Sequence, residues 1–157
     1  MKLSIGDKAP AFSLPDQSGK VHALKDYAGQ WVLLYFYPKD DTPGCTKEAC
    51  SVRDNLPKFG KLNALVFGIS ADAVKSHGKF ADKFDLNFPL LADETKETIN
   101  AYDSWGKKKF MGKEYEGVFR NSFLIDPNGK IAKIYEGVKP EEHVAEVLKD
   151  LKELQAA

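Results

Sequence analysis

Two uninterrupted apolar runs dominate the hydrophobic pattern of the chain, and both predict buried strands. They cover residues 31–37 and 64–70. A continuous apolar run of this length is typical of a strand that is covered on both faces of a sheet. Each run is followed by a segment with helical spacing, from Thr42 to about Phe59 and from Asp72, a plausible cap, to Phe84. The order strand–helix–strand–helix indicates a sheet covered by helices.

The flanking segments predict hairpins and a closing helix. Residues 11–14 and 21–24 surround a turn-prone segment, and the strands predicted at 118–125 and 131–135 surround the turn sequence Asp126-Pro127-Asn128-Gly129. A helix is predicted from Pro140, with its apolar face formed by Val144, Val147, Leu148, Leu151 and Leu154. Between these segments we expect a short apolar piece at 88–92, a helix at 95–102 and an exposed loop or hairpin at 107–116. The best fit is an α/β fold of the thioredoxin-like type, with a central mixed sheet flanked by helices and an N-terminal β-hairpin extension, as one domain over residues 1–157.

Composition and charge exclude several classes of function. The chain has 23 basic and 23 acidic residues, so its net charge of zero lacks the electrostatic footprint of a nucleic-acid-binding protein. The longest apolar run is far shorter than the roughly 20 residues that a membrane-spanning helix needs. The first residues lack the apolar region of a secretory signal. We therefore expect a cytoplasmic protein, in which two cysteines serve catalysis or metal binding more often than a structural disulfide.

Both cysteines lie in the segment 35–50, where an apolar run, a short polar loop and a helix start follow one another. Thr42 is a good N-cap, because its hydroxyl is able to accept a hydrogen bond from a free N–H of the first turn. Pro43 suits the first helical position. Cys45 is then placed in the first turn, among unpaired N–H groups at the positive end of the helix dipole, where the thiolate is favoured. Cys45 is predicted to be a nucleophile.

The spacing of the two cysteines predicts a helix that must open. On one intact helix, the Cα atoms of Cys45 and Cys50 lie roughly 8.5 Å apart, and a disulfide rarely tolerates more than about 7 Å. A bond between them requires the first turns to unwind, and Pro43 and Gly44 weaken the hydrogen-bonded start. A disulfide that closes so small a loop gains little stability from chain entropy, which suits a cycling disulfide better than a structural one.

These residues resemble a known family. The pattern Pro38-x-x-x-Thr42-x-x-Cys45 resembles the active-site motif of the peroxiredoxins, and Thr46, Glu48 and Cys50 are similar to the Q type, also called bacterioferritin comigratory protein. The resemblance extends over essentially the whole chain, and it includes the segments at 6–14 and 120–126. Thioredoxins would show Cys-x-x-Cys, which this sequence lacks.

The resemblance implies a thiol-dependent peroxidase with a two-cysteine mechanism. Cys45 would attack the peroxide and become a sulfenic acid, Thr42 would orient the peroxide, and Arg120 would stabilise the thiolate and the charge on the oxygens. Pro38 would shield the pocket, and Cys50 would resolve the sulfenic acid as an intramolecular disulfide. Thioredoxin or a glutaredoxin-like dithiol would then reduce that disulfide. The expected protein is a monomer that uses no cofactor and no metal.

Each assignment has a structural alternative. Thr42 could be merely a cap, and the local sequence of Arg120 fits half of a surface ion pair as well as it fits catalysis. Glu48 either supports the site or occupies a favourable first-turn position, while Arg53 is expected to be structural or to form part of the rim of the site. The histidines, expected at the surface or in structural roles, are His22, His77 and His143. Their spacing relative to the cysteines does not match a recognisable metal site.

Three functions from different classes fit the two cysteines. A thiol peroxidase would consume peroxide in proportion to its reduced thiols. A protein thiol–disulfide oxidoreductase would act on protein disulfides without peroxide, in an insulin-type reduction assay. A non-enzymatic redox sensor would react slowly with peroxide and would recognise a partner only when oxidised.

Overall fold

Strands and helices follow one another in the predicted order. The computed structural model describes residues 1–156. Within that range the elements are β1 (Ser13–Pro15), β2 (Val21–Ala23), β3 (Trp31–Phe36), α1 (Pro43–Lys61), β4 (Ala64–Ser70), α2 (Val74–Phe84), β5 (Leu90–Ala92), α3 (Glu97–Ala101), β6 (Trp105–Phe110), β7 (Lys113–Val118), β8 (Ser122–Ile125), β9 (Ile131–Tyr135) and α4 (His143–Ala156). None of the helices in this range combines the length and the apolar character needed to cross a bilayer.

The central sheet has five strands in the order β5, β4, β3, β8, β9. Strand β3 pairs in parallel with β4 and antiparallel with β8, so the sheet is mixed, as predicted. Alternate side chains of β3 point to opposite faces. Leu33 and Tyr35 belong to a core shared with α1, α2 and α4, whereas Leu34 and Phe36 belong to a core shared with α3 and the N-terminal segment. Both faces are covered, which explains the uninterrupted apolar run.

Two antiparallel hairpins flank this sheet. The predicted N-terminal hairpin is confirmed as β1 and β2. The segment predicted as a loop or hairpin forms β6 and β7, and its turn places Met111 and Gly112 at φ values of 52° and 80°. Val118, predicted as the start of the next strand, instead ends β7, and β8 begins only at Ser122.

Two predicted helix starts are wrong. Helix α4 begins at His143 rather than Pro140, because the N–H groups of Glu142 and His143 both donate to the Lys139 carbonyl and close a turn before the helix. Helix α2 begins at Val74, and Ala73 rather than Asp72 is its N-cap residue. The Asp72 carboxylate does not cap the helix because its Oδ2 accepts from the Asp40 N–H at 2.9 Å and from the Ser70 hydroxyl at 2.7 Å.

The sheet brings two distant segments of the chain together where the central strands end. Because β3 and β8 are antiparallel, the end of β3 lies beside the start of β8, and Phe36 N–H donates to the Asn121 carbonyl at 2.8 Å. The loop that leads from β3 into α1 therefore lies next to Arg120. The loops that follow the parallel strands β3 and β4 lie at this same end of the strands.

Candidate active site

The start of α1 is built as the sequence predicts, apart from the role of one hydroxyl. Thr42 is the N-cap residue, with extended backbone angles, and Pro43 is the first helical residue. The Thr42 hydroxyl, however, accepts no bond from the first turn. It donates to the Lys39 carbonyl at 2.9 Å, so the prediction of a side-chain cap is wrong. Since the hydroxyl proton is used by Lys39, the lone pairs of the Thr42 oxygen remain able to accept a hydrogen bond from a ligand.

Cys45 is a buried thiol in the first turn of α1, with 1% of its surface exposed. Its sulfur receives a hydrogen bond from Arg120 Nη2 at 3.1 Å. The first N–H groups of a helix have no partner within the helix and carry partial positive charge. The guanidinium and the helix start therefore both stabilise negative charge on the Cys45 sulfur.

Arg120 reaches the sulfur because a glycine makes room for it. A Cβ atom at position 44 would come within 2.7 Å of Arg120 Nη2, a distance that would displace the guanidinium. The side chain of Arg120 is 21% exposed. Its second nitrogen, Nη1, faces Glu48 Oε1 at 3.5 Å, so the guanidinium lies between the thiol and a carboxylate. The alternative of a surface ion pair is wrong, because the Glu48 partner is buried.

Glu48 lies one turn after Cys45 on the same side of α1 and is fully buried. Its Oε2 atom has no hydrogen-bond partner among the described residues, and neither has the buried Tyr35 hydroxyl. Burial raises the pKa of Glu48 to about 7, and the nearby Arg120 charge only partly opposes this. The carboxyl therefore changes charge near neutral pH and alters the field that Arg120 experiences.

The raised pKa of Glu48 predicts that stability falls as the pH rises. Below pH 4.5, the ordinary pKa, the group is protonated in both the folded and the unfolded chain. Between pH 4.5 and about 7 only the unfolded chain ionises, so the free energy of unfolding decreases. The full loss, on the order of 3 kcal/mol, is reached above that window.

Urea denaturation of the reduced protein at a series of pH values measures this loss. In Glu48→Gln we expect this loss to disappear, so that the variant gains stability relative to the wild type as the pH rises from 4.5 to about 7. Glu142→Gln, at an exposed position, is the matched control and should follow the wild type. A constant stability difference between Glu48→Gln and the wild type would contradict the prediction.

Cys50 lies on the same intact helix as Cys45, half-buried, and both cysteines are free thiols. This arrangement matches the expectation that the two sulfurs cannot bond while α1 is folded.

Arg53, one turn further along α1, donates to the Phe84 carbonyl and to Asp54 Oδ1. Its contacts agree with the structural role predicted for it. Pro38 is half-buried at the start of the loop after β3.

The structure adds Lys108, a residue to which the sequence assigned no functional role. Lys108 donates to the Val118 carbonyl at 2.9 Å. Burial and the nearby Arg120 charge lower the pKa of the Lys108 ammonium, and Cys45 partly opposes this lowering. A cavity of about 560 Å³ beside Arg120 is lined by Lys108, Phe119 and Val138, among others. The signal available in the sequence was the hairpin position of Lys108, which does not reveal its proximity to Arg120.

The three histidines are all buried, so of the two alternatives expected for them, surface positions or structural roles, the structure leaves the structural roles. His22 lies 2.7 Å from Asp16, His77 lies 2.7 Å from Asp40, and His143 lies 2.8 Å from the Ser122 hydroxyl. The spacing of His77, Phe80 and Ala81 along one buried face of α2 was the signal that could have revealed this burial.

One group of ligand atoms is close enough to suggest a metal site. Side-chain atoms of Asp40, Asp72 and His77 lie within 4.8 Å of one another. Both ring nitrogens of His77 are already hydrogen-bonded, to Asp40 and to the Leu91 carbonyl, so no nitrogen lone pair is directed at an ion. The donor set does not fit a metal.

Comparison with known proteins agrees with this geometry. The sequence of residues 5–134 matches the AhpC/TSA family. Peroxiredoxin Bcp of Escherichia coli K12 is 49% identical over 151 residues, which cover 96% of this chain and 97% of that protein. A crystal structure of a cysteine-to-serine mutant of Xylella fastidiosa PrxQ has a TM-score of 0.94 at 36% identity and covers 99% of both chains.

A second solved structure comes from a protein studied for its chemistry. Xanthomonas campestris bacterioferritin comigratory protein, studied for its alkyl peroxide reduction activity, has a TM-score of 0.88 at 36% identity and covers 96% of both chains. The extent of these matches goes well beyond a shared motif. The chain belongs to the AhpC/TSA family, as a peroxiredoxin of the Bcp or Q type with a thioredoxin-like fold.

Proposed function

We propose that this protein reduces hydrogen peroxide and organic hydroperoxides with Cys45 as the nucleophile. The observation that carries the proposal is the 3.1 Å contact between Arg120 Nη2 and a buried Cys45 sulfur at a helix start. Such a site favours a thiolate and supplies positive charge where the oxygens of a peroxide would lie. The alkyl peroxide reduction activity of the Xanthomonas campestris relative supports the substrate class.

The first step transfers one oxygen to sulfur. The Cys45 thiolate attacks one peroxide oxygen, the O–O bond breaks, and the other oxygen leaves as hydroxide or alkoxide, which takes up a proton to give water or alcohol. Cys45 becomes a sulfenic acid. The Thr42 oxygen, whose own proton is donated to Lys39, accepts a hydrogen bond from the peroxide O–H. Arg120 and the free N–H groups of α1 stabilise the charge on the leaving oxygen, and Pro38 shields the site from bulk water.

The second step forms a disulfide and needs α1 to open. The Cys50 thiol attacks the Cys45 sulfenic acid, an S–S bond forms and water is released. Because both residues lie on one helix, the first turns unwind before the sulfurs meet. A dithiol such as thioredoxin or a glutaredoxin-like protein then supplies two electrons and restores both thiols. We propose that the protein works in this way as a cytoplasmic monomer.

Replacing Cys50 tests the two-cysteine cycle. Cys50→Ser is expected to reduce one equivalent of peroxide at the wild-type rate, because Cys45 and Arg120 are untouched, and then to stop. Steady-state turnover with thioredoxin as the donor should fall by at least about 100-fold, since the missing disulfide is the species that the donor reduces. Single-turnover mixing and a coupled thioredoxin assay measure the two steps separately. Normal turnover with that donor would show that Cys50 is not the resolving cysteine.

The burial of Cys45 separates this function from a general protein disulfide reductase. With 1% of its surface exposed, the thiol is accessible to a small peroxide through modest side-chain movement but not to a disulfide within a folded protein. Rapid mixing of the reduced protein with hydrogen peroxide and with cumene hydroperoxide tests the proposal. Consumption of neither peroxide in proportion to the Cys45 thiol would refute it.

A further inference from the structure

A buried carboxylate, that of Asp40, holds the loop between β3 and α1 in place. Asp40 lies in this loop and is 8% exposed. Its Oδ1 accepts the Tyr37 hydroxyl at 2.6 Å, and its Oδ2 lies 2.7 Å from both the Ser76 hydroxyl and His77 Nδ1. Burial alone would raise the pKa of Asp40, but these hydrogen bonds, with that of His77 the strongest, together lower it. The carboxylate is thus a fully bonded anchor for the loop.

The hydrogen bonds of His77 show that it shares a second proton with Asp40. Its Nε2 lies 2.9 Å from the Leu91 carbonyl, which only accepts, so Nε2 must carry a proton. The 2.7 Å bond between Nδ1 and the Asp40 carboxyl therefore needs a further proton. The pair is a charge-assisted bond between α2 and the loop, and it is tied to β5 on its other side.

The same loop carries the groups that the proposed chemistry uses. Asp40 N–H donates to Asp72 Oδ2 at 2.9 Å, which ties the loop to the one after β4. The Lys39 carbonyl holds the Thr42 hydroxyl, and α1 starts immediately afterwards without a side-chain cap. Asp41, at a φ of 57°, adopts the left-handed conformation that needs support from its surroundings. Since α1 lacks its own cap, its first turn depends on this loop.

We propose that Asp40 and His77 act as positioning residues that hold the start of α1 folded and thereby set how readily it unwinds for disulfide formation. The inference rests on the proposed function, because it concerns the competition between two fates of the Cys45 sulfenic acid. In the folded helix the sulfenic acid meets a second peroxide and becomes a sulfinic acid, with release of water or alcohol. In the unwound helix it meets Cys50 and forms the disulfide.

Weakening the bond between Asp40 and His77 should shift the competition toward the disulfide. A larger unwound population slows the attack of Cys45 on peroxide and speeds resolution by Cys50, so the yield of sulfinic acid per turnover falls. Loss of the bond between His77 and Asp40 is expected to change the ratio of sulfinic acid to disulfide by about tenfold, which corresponds to about 1.4 kcal/mol in the unwinding equilibrium.

Paired substitutions of His77 distinguish the loss of its bond to Asp40 from a general loss of stability. His77→Asn places an amide N–H near the position of Nδ1 and preserves a donor to Asp40, whereas His77→Gln places its amide near Nε2 and preserves only the bond to Leu91. The control is His22→Asn, because His22 Nε2 forms a 2.7 Å bond with Asp16 that the asparagine loses, and His22 is also buried and packs against Phe67 on the other face of the sheet. Ser76→Ala removes a single bond to Asp40 and is a milder variant that serves if both His77 variants fail to fold.

Each variant is mixed in the reduced state with a fixed excess of peroxide, and mass spectrometry gives the ratio of sulfinic acid to disulfide. We expect a shift of about tenfold toward disulfide in His77→Gln, about threefold in Ser76→Ala, little shift in His77→Asn and no shift in His22→Asn. An unchanged ratio in His77→Gln or Ser76→Ala, or an equal shift in His22→Asn, would overturn the inference. Failure of the wild-type protein to form any oxidised Cys45 would instead refute the proposed function.

Discussion

Cys45→Ser is expected to abolish peroxide reduction while leaving the fold intact. Serine has nearly the shape of cysteine, and its hydroxyl can still accept the hydrogen bond that Arg120 Nη2 donates to the Cys45 sulfur. An un-ionised hydroxyl is a weak nucleophile, however, and no base lies beside it to activate it among the contacts of the described residues. We expect the rate of peroxide consumption to fall by at least about 10³-fold, within the range seen when an enzyme loses its nucleophile.

Stopped-flow mixing of the reduced variant with hydrogen peroxide measures this loss. Thermal unfolding provides the control for folding, because the buried site should lose little packing when sulfur is replaced by oxygen. Cys50→Ser, which removes the other thiol, is the matched comparison and should keep the first equivalent of oxidation. Full activity in Cys45→Ser would show that a different residue carries the chemistry.

Arg120→Lys is expected to reduce kcat/KM by about 10²- to 10³-fold, the effect of removing one preorganised donor from a site of developing negative charge. The guanidinium reaches Cys45 Sγ with Nη2 and Glu48 Oε1 with Nη1. A lysine ammonium is a compact charge on a flexible stem and cannot reproduce this fork. The substitution therefore loses orientation toward the peroxide oxygens even though the charge is kept.

The chain provides a matched control, because its only other arginine is Arg53. Arg53 lies on the same helix as Cys45 but directs its guanidinium to the Phe84 carbonyl and to Asp54. Arg53→Lys should retain kcat/KM within about twofold, as expected for a partly exposed structural contact. Equal losses in the two variants would mean that Arg120 acts through stability rather than through charge placement.

The strands and the start of α1 were predictable because they depend on local pattern. The apolar run at 31–37 predicted β3, since a strand covered on both faces shows no polar alternation. Pro43 correctly marked the first residue of α1, because at that position the missing N–H of proline costs nothing and its fixed φ suits the helix. Two of the wrong predictions, at Asp72 and Pro140, concern helix starts, where the choice of cap depends on which donors the tertiary structure brings near.

The hydrogen-bonding role of Thr42 could not be read from sequence. Local preference predicted that its hydroxyl would accept a bond from the first turn, but the hydroxyl donates to the Lys39 carbonyl instead. The conformation of the Pro38–Thr42 loop decides between these roles, and that loop is shaped by contacts between Asp40 and α2. A short polar segment has many conformations, and distant residues select one of them.

Three features follow from the sequence alone: the order of elements, the position of Cys45 at a helix start, and two cysteines too far apart on one helix to bond. Each of these follows from spacing along a short stretch of chain, where helix and strand geometry are fixed. Long-range packing, in contrast, brings Arg120 into contact with Cys45, 75 residues away, and buries Glu48 enough for its pKa to rise to about 7. The physical reason is that both depend on the pairing of β3 with β8 and on the packing of α1 against the sheet, which are long-range contacts that no local pattern specifies.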